Sequence, residues 1–344
     1  MARTPSRGRN VTLADVGRHA GVSSAVVSYV VNNGPRPVAP ETADRVREAI
    51  AFLGYRPNTT ARALSTGSTG ILGVVHPGTA NPFFGEYNDV IYETATRAGI
   101  ALLTATSAGS AKTERGLIEA LAGRNVDGII SMTSMNRHDV ARLRDPGIPL
   151  LFVNCPFAVP GFHTIGPDAV DGSRRVVGHL LDDHHHAQVA LIAGDTGASE
   201  PEERESGWRD AHRMRGLEPG PVVRTTFTAD GGYEAAQRLL DQPSPASAVF
   251  VTSDLQALGV LHAIHSRSLR VPEDIAVVSF DGISEAAHTW PPLTVVRQPL
   301  RAMAQVALDN VLSGTEPAHT LVPTELVIRR SCGCSSPGDE LLEP

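Results

Sequence analysis

Three groups of residues in this 344-residue chain have types that do chemistry. Asp182-Asp183-His184-His185-His186 gathers carboxylates and imidazoles in one run, the composition of a metal-binding tract. Adjacent side chains diverge and rarely chelate one ion together, so the run reads as a polar surface turn between a helix and the next strand, and no metal is assigned. Cys332 and Cys334 flank a single glycine, a spacing too tight for an ordinary disulfide or a four-ligand zinc site. With Cys155 they make an odd set of three, expected as reduced thiols. Asp168, Asp171 and Asp281 form no pair that the sequence itself sets at general acid–base distance. No Gly-x-Gly-x-x-Gly follows the first strand, no Gly-rich loop ends in Lys-Ser/Thr, and no His-Glu-x-x-His occurs. A nucleotide or dinucleotide enzyme is thereby disfavoured, and no catalytic residue or cofactor is assigned.

The elements that must position these residues alternate. Strand-like runs at Ile71–Val75, Ala101–Ala105, Gly128–Ser131, Leu150–Val153, Val189–Ala193, Val222–Phe227, Ala248–Thr252, Ile275–Phe280, Thr294–Arg297 and Leu326–Arg329 are separated by helical stretches. This spacing predicts βαβ units, parallel sheets and right-handed crossovers, an α/β fold of one or two doubly wound domains. Such sheets bind ligands beyond the C-terminal ends of their strands. Phe83 and Phe84 follow the first strand, and their rings suit a cleft wall as readily as a core. Phe227 offers a stacking ring, and Arg204 a five-donor fork for a carboxylate, a phosphate or paired hydroxyls. Asp254 opens a helix, where capping and ligand binding are equal readings.

Before this body lies a different kind of segment. Thr12 suits an N-cap, Leu13, Val16 and Ala20 recur at helical spacing, and Gly21 ends the helix. Ser23 caps a second helix whose inner face is Val26, Val27 and Val30, leaving Ser24, Ala25, Ser28 and Tyr29 toward its outer N-terminal side. A third helix is predicted from Pro40 to Leu53, with Gly54 ending it. Two short helices joined through a glycine turn are the helix-turn-helix pattern, whose second helix lies in the major groove. A fourth, short helix starts at the cap Asn58 and stops before Gly67; at about nine residues it is marginal alone and needs a packing partner.

The blocks Val11-Thr-Leu-Ala-Asp-Val, Ala20-Gly-Val-Ser, Val27-Ser-Tyr-Val-Val-Asn, Gly54-Tyr-Arg-Pro-Asn and Ala61-Arg-Ala-Leu64 resemble, in order and spacing, the lactose-repressor (LacI) family of bacterial transcription regulators. The resemblance implies a three-helix helix-turn-helix head at 1–57 and a hinge helix and linker at 58–69. It also implies a two-lobed, periplasmic-binding-protein-like domain at 70–334, with lobe crossings near 166, 294 and 326, followed by a flexible tail at 335–344. It places Ser24, Ala25 and Tyr29 on base edges, and Thr12, Ser23, Ser28 and Asn32 on phosphates. Many relatives carry Arg where this chain has Tyr29, so base preference there does not transfer. Asn58 and Ala61 belong to the hinge helix, and Leu64 matches the leucine wedged into the minor groove. In the body it makes Phe83, Phe84, Asn154, Arg204, Phe227, Ser253, Asp254 and Asp281 the effector-cleft candidates. Asn154 stands where relatives carry Asp, and Ser253 where they carry Asn, so a lactose-like effector is not implied.

Charge supports the division. Residues 1–68 hold nine arginines against four acids, a net +5, which leaves −12 on the rest of a chain of total charge −7. A basic head on an acidic body suits a polyanion partner at the head alone. No run approaches 18 apolar residues, and Met1–Asn10 is basic and polar without an apolar segment behind it, so neither a membrane partner nor a secretory leader is expected and the cytoplasm, at the nucleoid, follows. Arginine supplies 29 of the 30 basic residues, a bias without functional meaning. Ser335–Pro344 contains no sustained heptad, so a homodimer rather than a tetramer is expected. The expected function is sequence-specific regulation, in the sense of a repressor, on double-stranded palindromic DNA under control of a sugar-like effector. A transport solute-binding protein and a cytosolic sugar enzyme on the same body are the alternatives. The first needs an export signal and the second a catalytic pair.

Overall fold

The computed structural model describes residues 11–32, 36–56, 67–133, 135, 137–143, 145–155, 157–195, 202–243 and 246–335. The chain divides into two compact units, Met1–Thr69 and Gly70–Pro344. The hinge helix, with Asn58, Ala61 and Leu64, lies outside the described residues, as does the tail from 336 on.

In the first unit α1 (Leu13–Ala20), α2 (Ser24–Asn32) and α3 (Pro40–Leu53) enclose one small core. Val16, Ala20, Val27, Val46, Ala49 and Tyr55 are buried in it, with Leu13, Val30, Ile50 and Leu53 packed at its margin. The ends follow from local chemistry. Thr12 and Asp15 form a reciprocal capping box at the start of α1, and Gly21 ends it in the left-handed conformation. Pro40 starts α3 and Gly54, also left-handed, stops it.

The second unit holds two six-stranded sheets. The first runs β11-β5-β4-β3-β1-β2, from His319–Val322 (β11), His163–Pro167 (β5), Leu150–Val153 (β4), Gly128–Met132 (β3), Ile71–His76 (β1) and Ala101–Thr106 (β2). The second runs β12-β10-β9-β8-β6-β7, from Glu325–Val327 (β12), Thr294–Arg297 (β10), Ala276–Asp281 (β9), Ala248–Val251 (β8), Ala190–Gly194 (β6) and Val222–Thr225 (β7). All neighbouring pairs are parallel except β10 with β12. Central strands such as β3, β4, β6, β8 and β9 are buried on both faces, which explains their continuous apolar runs.

The helices are α4 (Pro82–Arg97), α5 (Ala111–Ala122), α6 (Arg137–Ala141), α7 (Ala169–Asp182), α8 (Glu203–Arg213), α9 (Ala229–Leu240), α10 (Asp254–Ser266) and α11 (Leu300–Ser313). The chain passes between sheets three times: from β5 to β6, from β10 back to β11 through α11, and from β11 directly to β12. α11 packs on α4 and on β3, β4 and β5, whereas α7 packs on α8. Each lobe is thus assembled from segments distant in sequence.

The sequence missed two strands. β5, His-Thr-Ile-Gly-Pro, has one large aliphatic residue, and β11 is a half-exposed edge strand. The run read as Val222–Phe227 ends at Thr225, because Thr228 is already the N-cap of α9 and the residues between must turn. No helix among the described residues is long and apolar enough to cross a membrane.

Candidate functional site

In the head, the first turn of α2 presents Ser23, Ser24 and Ala25 exposed together, with Ser28 and Tyr29 half-buried one turn on. The Ser23 hydroxyl accepts the Val26 N–H at 3.4 Å, so it caps the helix whose positive end would face a phosphate. Thr12 is committed more deeply. Its hydroxyl donates to Asp15 Oδ2 at 2.7 Å and its N–H to the same oxygen at 3.0 Å, while its oxygen accepts the Asp15 N–H. Asn32 closes α2, and its side chain lies outside the described positions. The Thr12 bonds hold Asp15 below the usual carboxylate range, and Arg18 adds to the effect.

In the body, one constellation brings distant residues together at the C-terminal ends of strands. Arg204, in the first turn of α8, keeps only 12% of its side chain exposed. Its Nε lies 3.3 Å from Glu202 Oε1 and its Nη2 3.4 Å from Asp281 Oδ1, and Nη1 donates to the Thr252 carbonyl oxygen. The guanidinium plane sits 4.3 Å above the Phe280 ring. Asp281 ends β9 at a φ of 119°, and Gln298 clamps it, donating its side-chain amide to Oδ1 at 2.8 Å and its N–H to the Asp281 carbonyl at 3.0 Å. Burial raises the Asp281 and Glu202 carboxyls, while Arg204 pulls both down. Among the described residues, Glu202 Oε2 and Gln298 Oε1 are buried without a hydrogen-bond partner. The site therefore sets two carboxylates against one guanidinium and keeps buried acceptors available, the arrangement that takes up hydroxyl donors.

Phe227 reaches the same sheet end. Its ring lies over the Gly194 Cα so closely that a Cβ there would come within 1.9 Å of the ring, and only glycine permits this approach. On the other lobe, Asn154 follows β4 half-buried in the left-handed conformation, φ 55°, and Phe84 is half-buried on α4. The two lobes also touch through Glu86 Oε1, which accepts the Ser284 N–H at 2.8 Å and its hydroxyl at 2.6 Å.

Three sequence assignments change. Phe83 is 2% exposed and packs beside Tyr87 in the core, because its position on α4 points into the sheet, so it is no cleft wall. Ser253, 1% exposed, is the N-cap of α10 and donates to Gln256 Oε1, so its hydroxyl is spent internally. Asp254 does not cap. It is fully buried, accepting from Ser279 Oγ at 2.5 Å, Gly282 N at 2.6 Å and Ile283 N at 2.8 Å, and it holds the turn that presents Asp281. Burial and then the Asp281 charge push Asp254 to about 7, against the pull of those donors. Sequence reasoning missed Glu202, Gln298 and Phe280; only Glu202, two residues from Arg204, carried a local hint.

Residues 12–58 match the model of bacterial regulatory proteins of the lacI family, and residues 177–332 match a periplasmic binding protein-like domain. The chain is 33% identical over 341 residues to the HTH-type transcriptional regulator CelR of Thermobifida fusca, covering 94% of this chain and 99% of that protein. Among solved structures, the lac repressor dimer bound to operator and the anti-inducer ONPF superposes with a TM-score of 0.84 at 27% identity, covering 94% and 99% of the two chains. The complex of the regulator CelR with cellobiose gives a TM-score of 0.67 at 31% identity, over 94% and 100%. Likeness of this extent runs through the head and both lobes alike, and the chain belongs to the LacI family of bacterial transcriptional regulators.

Proposed function

We propose that this regulator is a repressor that binds a palindromic operator as a homodimer in the cytoplasm, and that a neutral, hydroxyl-rich small molecule of the sugar class controls its affinity. Ser24, Ala25 and Tyr29 read bases, Ser23, Ser28, Thr12 and Asn32 set register on phosphates, and Leu64 opens the central minor-groove step. The effector contacts Arg204 and Asp281, with Phe227, Phe84 and Asn154 shaping the rest of its site, and it is released unchanged. Asp254 and Ser253 support that surface from behind. A relative whose structure is a complex with cellobiose, and another bound to operator with an anti-inducer, agree with this reading.

The observation that carries it is the Glu202–Arg204–Asp281 cluster. Arg204 is already opposed by two carboxylates, so an anionic ligand would enter a site with no spare positive charge. A sugar hydroxyl can donate to one carboxylate oxygen while accepting from the guanidinium. Control of DNA binding requires only that the ligand prefer one of two states of the dimer.

The test is selection of bound duplexes from a random pool by the full chain at fixed near-physiological salt, followed by titration of mono- and disaccharides on the selected site. A palindrome with a deformable centre, and one sugar that shifts its affinity about tenfold or more, is the expected result. Failure to enrich any sequence with or without sugars overturns the DNA-binding half, and chemical conversion of the active sugar overturns the non-enzymatic half.

A further inference from the structure

The fold assembles a second polar centre on the far side of the same lobe from residues that the sequence keeps about 150 positions apart. His179 lies in the last turn of α7, and His184 follows two residues after the helix ends. Cys332 and Cys334 sit in the turn after β12, where the chain returns to this lobe. One ligand atom from each of the four lies within 4.8 Å of every other. The two imidazole Nε2 atoms are 3.2 Å apart, and Cys334 Sγ is 3.5 Å from His179 Nε2 and 3.3 Å from His184 Nε2. A tetrahedral ion with bonds of about 2.0–2.1 Å to nitrogen and about 2.3 Å to sulfur needs separations of roughly 3.3 Å between nitrogens and roughly 3.5 Å between nitrogen and sulfur. From these distances we infer that His179, His184, Cys332 and Cys334 form a structural zinc site of the Cys2His2 type.

The surroundings are those of a metal site. His179 Nδ1 bonds Asp183 Oδ2 at 2.6 Å, which fixes the ring and leaves the Nε2 lone pair aimed at the cluster, the carboxylate–histidine arrangement that supports zinc ligands. The Thr294 hydroxyl lies 2.9 Å from the Arg329 carbonyl oxygen and 3.1 Å from Cys332 Sγ and can turn its one proton to that sulfur, which the Cys334 N–H also faces, so a thiolate would meet two donors. As a thiol, Cys332 instead donates to the Arg329 carbonyl at 3.2 Å. Gly333 has φ 108°, and a Cβ on it would stand 3.1 Å from the His184 ring. That glycine allows two cysteines one residue apart to turn their sulfurs toward one point. His185, at φ 57°, bends the other ligand loop the same way. Four protein ligands leave no open coordination position, so the ion holds structure rather than performing chemistry. It ties the end of the third lobe crossing to the end of α7.

The test uses the full chain purified in reducing, chelator-free buffer. Elemental analysis is expected to find one zinc per chain. Replacement by Co(II) is expected to give the d–d bands of a tetrahedral ion together with a thiolate charge-transfer band in the near ultraviolet. Cys334→Ser and His184→Ala should lose the metal, Cys155→Ser should keep it, and Asp183→Asn should bind it about 10–100-fold more weakly. Chelation should lower the thermal midpoint of the wild-type protein and leave that of Cys334→Ser unmoved. Absence of zinc together with a Co(II) spectrum lacking the thiolate band overturns the site, and this needs no variant to fold. Full metal retention by Cys334→Ser, or a Cys332–Cys334 disulfide in the freshly purified protein, overturns it equally.

Discussion

Asp254→Asn isolates one electrostatic quantity. The carboxyl is fully buried and held at about 7, against an ordinary value of 3.8, first by burial and then by the Asp281 charge. Between those values the unfolded chain has lost this proton while the folded chain keeps it. The stability that the group contributes is therefore fully present below 3.8 and is lost as pH rises to about 7. The gap is about three pH units, and at 1.36 kcal/mol per unit that is about 4 kcal/mol. Asparagine has nearly the same shape and no proton to lose. Its amide nitrogen, placed at Oδ1, must donate to a Ser279 hydroxyl that turns round to accept, a re-pairing that costs about 1–3 kcal/mol at every pH. The stability of the variant minus that of wild type should thus begin negative and climb by up to about 4 kcal/mol between about pH 4 and about pH 8. Urea unfolding of both proteins across that range measures it, read by Trp208, which is buried in this lobe, while the exposed Trp290 is replaced in both backgrounds. Subtraction removes every other titrating group except Asp281, whose coupling belongs to the same quantity. A flat difference would show that burial does not shift this group. The same flat result follows if Ser279 and the two backbone donors outweigh burial and keep Asp254 ionised throughout.

Other substitutions test separate parts. Arg204→Met should abolish the sugar response while leaving effector-free operator binding intact, and should destabilise the body by about 3–5 kcal/mol by leaving Glu202 and Asp281 without their counter-charge; sugar binding by calorimetry and urea melts check the two. Thr12→Ala removes the hydroxyl of the α1 capping box and should cost the head about 1 kcal/mol, seen as a lower midpoint in its thermal unfolding. Leu64→Ala should weaken operator binding far more than binding to random duplex in a salt-controlled titration, and equal losses would remove the wedge from the account.

The sequence makes legible whatever depends on neighbours along the chain. The head was legible almost to the residue, since Thr12, Gly21, Pro40 and Gly54 each set a helix end through a local bond or a backbone preference. Buried strands were legible because both faces are covered and their apolar runs are continuous. β5 and β11 were not, since one has a single large aliphatic residue despite its burial and the other is an edge. Helix facing was the next failure. Phe83 and Phe84 are adjacent and chemically identical, and only the docking of α4 on its sheet decides that the first is core and the second half-buried.

The polar centres failed for a deeper reason, and in opposite directions. For Asp254 the sequence leaves capping and ligand binding as equal readings, but the tertiary fold gives the cap to Ser253 and spends the carboxylate on a turn near residue 282. The Asp182–His186 run was read for ligands among its own members, where adjacent side chains cannot converge. The ligands that do converge are His184, one turn-bound member of that run, and His179, a helical residue outside it, with two cysteines some 150 positions away. Local spacing is a sound argument against a site built from one segment and no argument against a site closed by a third chain crossing. Of the three histidines at 184–186, only His184→Ala should release the metal, because His185 is exposed and His186 Nδ1 is bonded to Ser247 Oγ at 2.8 Å. Equal metal loss from His184→Ala and His186→Ala would mean that the run chelates on its own after all.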